Sequence, residues 1–190
     1  MKYYFAQFLG IVAFTVAVLS FQQRSQKRIV TFQLISSCFF TAHFLLLGVY
    51  VGFLMNALGA FRAIVFANKD KAWARSRVWL FIFVALFTAA GIITIDNDLD
   101  LTTWNVDFTG LSAYISLLPI FGMIFTTVAF WAKDAATVRK LSAPSCPFWL
   151  TYNLYNRSWG GVATEVFALC SIIIGMIRLD IRRKENGVQN

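Results

Sequence analysis

The stretch 158-SWGGVATEVFALCSIIIGMIR-178 is apolar almost throughout, closes on Arg178, and holds one carboxylate, Glu165, in its interior. Its length and composition are those of a helix that crosses a bilayer, which needs about 20 mostly apolar residues. A charged group inside such a span costs at least about 2.5 kcal/mol, even on lenient insertion scales. Either a partner within the protein or a water-filled cavity must offset that cost. The fold of the chain turns on whether the segments around this one are spans as well.

Composition answers first. The chain has 190 residues, 58% of them hydrophobic and 14% charged, with a mean hydropathy of +0.65. Soluble domains carry roughly 45–50% apolar and about 25% charged residues. This chain has too little polar surface to coat a soluble globule. It is an all-α integral membrane protein whose first partner is the lipid bilayer, with no room for a separate soluble domain.

Seven stretches approach span length: about 3–21, 29–48, 50–68, 78–95, 110–131, 136–156 and 159–177. The first, after a single early lysine, has no clear small-residue cleavage site before Gln22 and reads as a span that stays rather than a signal peptide. The sixth holds Pro144 and Pro147 and is polar at both ends. It counts as a span because helix breakers are tolerated inside a bundle, where neighbours re-satisfy the backbone. Gly- or Pro-interrupted spans in transporters often mark binding sites, so the two prolines are expected to kink this helix beside a cavity; a static bend is the plainer alternative.

Charge sets the orientation. Arg24, Lys27 and Arg28 fall in one loop, Lys69, Lys71, Arg75 and Arg77 in a second, and Lys133, Arg139 and Lys140 in a third; Arg178, Arg182, Arg183 and Lys184 lie in the tail. These fourteen of 17 Lys and Arg share one side. Basic loops stay cytoplasmic, so the N-terminus is expected in the periplasm and the C-terminus in the cytoplasm. Trp79 and Trp131 then lie at inner ends, and Tyr3, Tyr4, Tyr50, Trp104 and Trp159 at outer ends, as an aromatic belt does. The net charge of +8 is thus mostly topology plus attraction to an anionic inner leaflet, and a nucleic-acid partner is not expected.

The seven spans divide as 3+1+3. Residues 1–70 form a first three-helix bundle, 71–107 a linker helix with an outward-facing acidic loop, 108–178 a second bundle, and 179–190 a basic cytoplasmic tail. One linker helix leaves the two bundles parallel, the same way up. Sliding the last three spans back by 109 residues lands Leu118 on Leu9, Ile120 on Ile11, Phe130 on Phe21, Phe148 on Phe39 and Gly161 on Gly52; Tyr152 falls on His43 and Glu165 on Asn56. Few positions are identical and apolar chains match by chance, so sequence leaves both a repeat and coincidence open.

The segments 6-AQFLGIVAF-14, 42-AHFLLLGVYVG-52, Asn56 with Arg62, and 153-NLYNRSWGGVATE-165 resemble the YgjV-type bacterial inner-membrane protein family over most of the chain. That resemblance implies a multi-pass protein of the bacterial cell inner membrane and no particular activity. A looser resemblance is to the PQ-loop and SWEET-type transporters. It implies polar residues on the third and seventh spans facing a central pocket, places that Asn56 and Glu165 would take. The Pro-Gln dipeptide is absent from both halves, however: Pro119 lacks a following Gln, and its first-half counterpart is Gly10.

The polar residues inside spans are the candidate site. Glu165 is a functional candidate as an intramembrane acid, and Gly160–Gly161 before it favours an inward-facing side chain. Asn56 stands evenly between solute contact and interhelical hydrogen bonding. His43 and Asn153 approach the outer ends of their spans and complete an expected substrate-binding set of Asn56, Glu165, His43 and Asn153. His43 reads more readily as a hydrogen-bonded packing residue than as a proton relay, and Asn153 and Asn156 as residues that ease the end of a helix. Arg62, about 9 Å along the axis from Asn56, either snorkels to the inner interface or serves as charge partner to Glu165.

Other motifs carry less. Asp96, Asp98, Asp100 and Asp107 occupy calcium-loop positions one, three, five and twelve, but the glycine at six and the glutamate at twelve are missing. Cys38, Cys146 and Cys170 all fall in apolar segments and read as small hydrophobes rather than disulfides. With one histidine and no paired-ligand spacing, no metal and no cofactor is expected. Gly48 and Gly52 form a small-xxx-small pair suited to close packing or to a homo-oligomer. No nucleophile–base pair or phosphate loop is visible, so an enzyme is not expected. The expectation is a small-solute transporter with a polar cavity between two bundles; the alternative is a structural or accessory membrane protein in which the same residues fix helix packing.

Overall fold

The structure is a computed structural model that describes residues 2–48, 50–93, 111–155 and 159–181. Every element among them is helical: α1 (Lys2–Ser20), α2 (Gln26–Leu47), α3 (Tyr50–Ala67), α4 (Val78–Ile93), α5 (Leu111–Trp131), α6 (Ala135–Ser142), α7 (Ser145–Tyr155) and α8 (Trp159–Gly175), which continues as a π-helical turn over Met176–Ile181. Lys2–Ser20, Gln26–Leu47 and Gly161–Ile181 are long and apolar enough to cross a membrane; Gly52–Ala67, Val78–Ile93 and Leu117–Trp131 are shorter apolar helices. The acidic loop with its calcium-like spacing, together with Asn156, Arg157 and Trp104, lies outside the described residues.

The segment expected as one sixth span is two helices. α6 ends at Ser142, Ala143 and Pro144 form the turn, and α7 starts at Ser145. Pro144 has no N–H to give a continuing helix and its ring excludes the carbonyl a turn behind it, which forces the break. Pro147 sits in the first turn of α7, where a missing N–H costs nothing. It therefore does not kink the helix, contrary to expectation. The seventh segment also runs past its expected end: the helical path extends through Asp180, inside what reads in sequence as a basic tail.

α2 runs antiparallel to both α1 and α3. The Ser36 hydroxyl donates to the Ala13 carbonyl at 2.7 Å, while His43, two turns further along α2, meets Ala6, further back along α1. α2 lies against both α1 and α3, α7 against both α5 and α8, and α4 bridges α3 and α5; α1 also packs on α8, and α3 on α5. Lipid tails are as apolar as leucine, so helices here associate through close packing and hydrogen bonds rather than by escaping water. Glycines supply that closeness. A Cβ on Gly52 would come within 2.6 Å of the Phe44 ring, and one on Gly161 would overlap the Asn153 side chain. Both members of the second pair lie 109 positions after those of the first. Gly48 acts differently from its expected packing role. At φ 74° it is the left-handed cap that ends α2, and a Cβ there would meet nothing.

The apolar core is concentrated at the end of the bundle that carries the basic loops. Ile29, Val30, Phe66, Phe83, Phe87, Phe130 and Val138 are buried there, and Phe66 meets Phe83 and Trp131 edge to face. The three cysteines are free thiols; Cys146 is buried, whereas Cys38 and Cys170 are exposed on the outer faces of their helices.

Candidate functional site

A cavity of about 610 Å³ is lined by residues of α1, α2, α3, α5, α7 and α8. Of the six polar residues singled out in the sequence, His43, Asn56, Arg62, Asn153 and Glu165 lie in its wall, and the sixth, Asn156, lies outside the described residues. Gln7, Gln33 and Thr126 also line it; nothing in the sequence pattern ranked them above other polar residues in spans. Of the two prolines, neither is a lining residue; the break at Pro144 instead starts α7 at Ser145 and Cys146, which are.

Each polar group is held differently. The Asn56 amide donates to the Gly52 carbonyl one turn back in its own helix at 2.8 Å. Asn56 is thus not an interhelical tie, and its side-chain oxygen is left as an acceptor on the cavity. His43 Nδ1 lies 2.6 Å from the Ala6 carbonyl of α1. A carbonyl only accepts, so Nδ1 carries the proton, and a neutral ring then offers Nε2 as an acceptor. The ring fits because α1 has a glycine opposite: a Cβ on Gly10 would lie 2.9 Å from it. His43 is the hydrogen-bonded packing residue the sequence favoured, placed in a cavity wall.

Glu165 is half-buried on the cavity face of α8. Its carboxyl lies beside the Cys146 thiol of α7. Among the described residues it forms no ion pair, so the pairing with Arg62 that the sequence left open as an alternative to snorkelling is not made.

Arg62 does not snorkel either. It is 5% exposed, and its Nη1 donates across to α5, to Thr127 Oγ1 at 2.8 Å, Thr126 Oγ1 at 3.0 Å and the Met123 carbonyl at 3.2 Å. Its guanidinium lies over the rings of Phe87 and Phe130, 4.9 and 4.8 Å from their centroids. Nε is buried with no partner.

A second polar cluster closes the basic-loop end, below the cavity. Arg139, assigned by sequence to a solvated loop, is 1% exposed. It grips Asp180 with both prongs of its fork, Nε to Oδ2 at 2.9 Å and Nη2 to Oδ1, while Nη1 donates to the Phe21 and Gln23 carbonyls at 3.1 and 2.8 Å. The Gln26 amide reaches the Phe130 carbonyl at 2.7 Å. Lys69 donates to the Trp131 and Ala132 carbonyls at the C-terminal end of α5, where a cation also meets the negative end of the helix dipole. Burial there pushes the Lys69 ammonium below its ordinary value. The signal missed in the sequence was Asp180, a single acid among Arg178, Arg182 and Arg183.

Comparison with known proteins places the chain. Residues 4–183 match the family model Imp-YgjV, a bacterial inner membrane protein family. The chain belongs to this family. It is 24% identical over 186 residues to inner membrane protein YgjV of Escherichia coli (strain K12), an alignment that covers 98% of this chain and 90% of that protein. No solved structure matches. Membership in the family, together with the apolar helices, makes this a multi-pass protein of the bacterial inner membrane. No cluster of His, Cys, Asp or Glu among the described residues could hold a metal ion.

Proposed function

We propose that this chain is a small-solute transporter of the inner membrane, with the solute bound between two three-helix halves. The observation that carries this is the gathering of Asn56, Glu165, His43, Asn153 and Arg62 on one cavity. These residues come from four helices and both ends of the sequence. Polar groups whose only task was to tie helices would be spent on one another. Here Asn56 and Glu165 line the cavity, and intramembrane polar groups that do so mark solute paths.

In this reading α1–α3 and α5–α8 are the two halves of a 3+1+3 arrangement, α6 and α7 together make one crossing, and α4 is the linker. The N-terminus is periplasmic and the basic loops cytoplasmic. The matching packing order of the halves and the α1–α8 and α3–α5 contacts support it. So does the concentration of core and hydrogen bonds at the basic-loop end, which leaves the Asn56–Glu165 level of the cavity toward the periplasm. Flux is downhill or proton-coupled, and no catalysis is involved.

The opposing reading is a structural or accessory membrane protein. His43 favours it, because its ring is committed to α1. A thermal-stability screen of the purified protein in detergent separates the two, with sugars, amino acids, small carboxylates and polyamines as solutes, and wild type beside Glu165→Gln and Asn56→Ala. A ligand that binds the folded state raises its apparent stability by mass action. Transport predicts well-folded variants that lose a solute response present in wild type. Packing predicts variants that melt early and a wild type that responds to nothing.

A further inference from the structure

We propose that the inner end of the cavity is a carboxylate subsite, in which the solute itself supplies the counterion for Arg62. This rests on the solute-cavity reading and deepens it. An arginine keeps its proton in a protein, so Arg62 brings a full positive charge into the bilayer. No Asp or Glu among the described residues is within ion-pair distance of it. The described acids are engaged elsewhere: Asp70 with Lys27, Asp134 with Thr137, Asp180 with Arg139, and Glu165 beside Cys146. The rings of Phe87 and Phe130 offset part of the charge.

The hydrogen bonds Arg62 does make are not ones its partners need. Thr127 donates its hydroxyl to the Met123 carbonyl at 2.6 Å, and Thr126 donates to the Met123 and Gly122 carbonyls at 3.1 and 3.2 Å. Both threonines are satisfied within α5. Arg62 ties α3 to α5 through Nη1 alone, and its Nε, buried without an acceptor, marks a guanidinium still short of one. A planar fork lining a cavity is the group best shaped to take a carboxylate.

The other end of the cavity has the opposite character. The Asn56 oxygen, the Glu165 carboxyl and His43 Nε2 offer acceptors there, and Asn56 stands about 9 Å from Arg62 along α3. They call for donors. The class of solute that satisfies both ends is a small organic carboxylate carrying hydroxyl or ammonium groups several bonds from its acid.

The test uses the purified full chain in detergent at constant ionic strength, with sodium chloride as the salt control. Thermal midpoints are read with gluconate against sorbitol and with 6-aminohexanoate against its amide, in wild type, Arg62→Met, Arg62→Lys and Glu165→Gln. The expected result is a rise of several degrees with at least one carboxylate over its neutral partner and over chloride. That difference disappears in Arg62→Met and is reduced in Arg62→Lys. Each variant is read against its own solute-free midpoint, because Arg62→Met also loses the bonds to α5 and the contacts with Phe87 and Phe130. The proposal is overturned if no carboxylate outdoes its neutral partner, if chloride does as well, or if the preference survives in Arg62→Met. A neutral polyol that stabilises wild type but not Glu165→Gln, with no preference for the acid, would overturn the carboxylate subsite while leaving the solute cavity standing.

Discussion

Ser171 of α8 donates its hydroxyl to the Val18 carbonyl of α1 at 2.6 Å, and this contact stands 109 positions from another. Moving Ser171 back by that shift gives Arg62, and moving Val18 forward gives Thr127, the residue Arg62 meets at 2.8 Å. The α8–α1 and α3–α5 interfaces are thus joined at equivalent positions with different chemistry, hydroxyl to carbonyl in one and guanidinium to hydroxyl in the other. The Gln22 amide reinforces the first, donating to the Ser171 hydroxyl at 2.9 Å and to its carbonyl at 2.7 Å. Ser171→Ala is expected to cost about 1 kcal/mol, the net worth of a hydrogen bond, read as a lower thermal midpoint in detergent.

The Arg139–Asp180 pair should matter more. Arg139 is 1% exposed in its side chain and Asp180 13%, so removing one partner strands a charge. Asp180→Leu is expected to cost about 3–5 kcal/mol, while adding Arg139→Met to it recovers most of that loss. Denaturation of the four proteins in the cycle checks the coupling. Additive single effects would mean that the pair does not act as a unit.

Glycine positions separate close approach from helix propensity. A Cβ on Gly175 would lie 2.6 Å from the Phe21 backbone carbonyl, which cannot step aside. Gly175→Ala should destabilise by about 1–3 kcal/mol. At Gly59 the nearest atoms would be at 3.5 and 4.0 Å, ordinary contact, and Gly59→Ala should stabilise by about 0.5–1 kcal/mol through the helix backbone. Thermal midpoints that move in opposite directions are the expected outcome.

Asp134 caps α6 outside the spans. Its carboxyl accepts from the Thr137 N–H and hydroxyl, each at 2.8 Å. Partial burial pushes its pKa up, but the Thr137 bonds outweigh this and hold it below the ordinary 3.8. A depressed folded-state value means stability that is fully present above the ordinary value and lost as pH falls through the folded one. Asp134→Ala should therefore cost about 1 kcal/mol at neutral pH, and its melting gap from wild type should narrow toward pH 3.

Sequence carried the fold further than the chemistry. The ends of α1, α3, α4 and α5 follow from where apolar runs meet Lys and Arg, because the bilayer imposes that pattern directly. The break at Pro144 was visible as a proline but not as two helices, since a bundle can either bend or divide at such a residue. His43, Asn56, Arg62, Asn153 and Glu165 were identifiable because each is costly in lipid, whereas Gln7, Gln33 and Thr126, which line the same cavity, were not set apart. How they are used was not. Whether Asn56 bonds its own helix or another, and whether Arg62 snorkels or stays buried, depends on which helices face one another across 60 or more residues of chain. Arg139 was misplaced for the same reason: its partner is Asp180, and no local pattern links the two.

The most direct test of a solute cavity is the reach of water to Asn56. In a background with Cys38, Cys146 and Cys170 changed to serine, Asn56→Cys, Glu165→Cys and Leu86→Cys are exposed in whole cells to a membrane-impermeant maleimide. Leu86, 37% exposed on α4, stands for a lipid-facing position. A cavity open to the periplasm predicts rapid labelling at positions 56 and 165, slowed by any solute that stabilises the wild type, with no labelling at 86. Positions 56 and 165 as inert as position 86 would contradict it and leave these polar residues as packing groups.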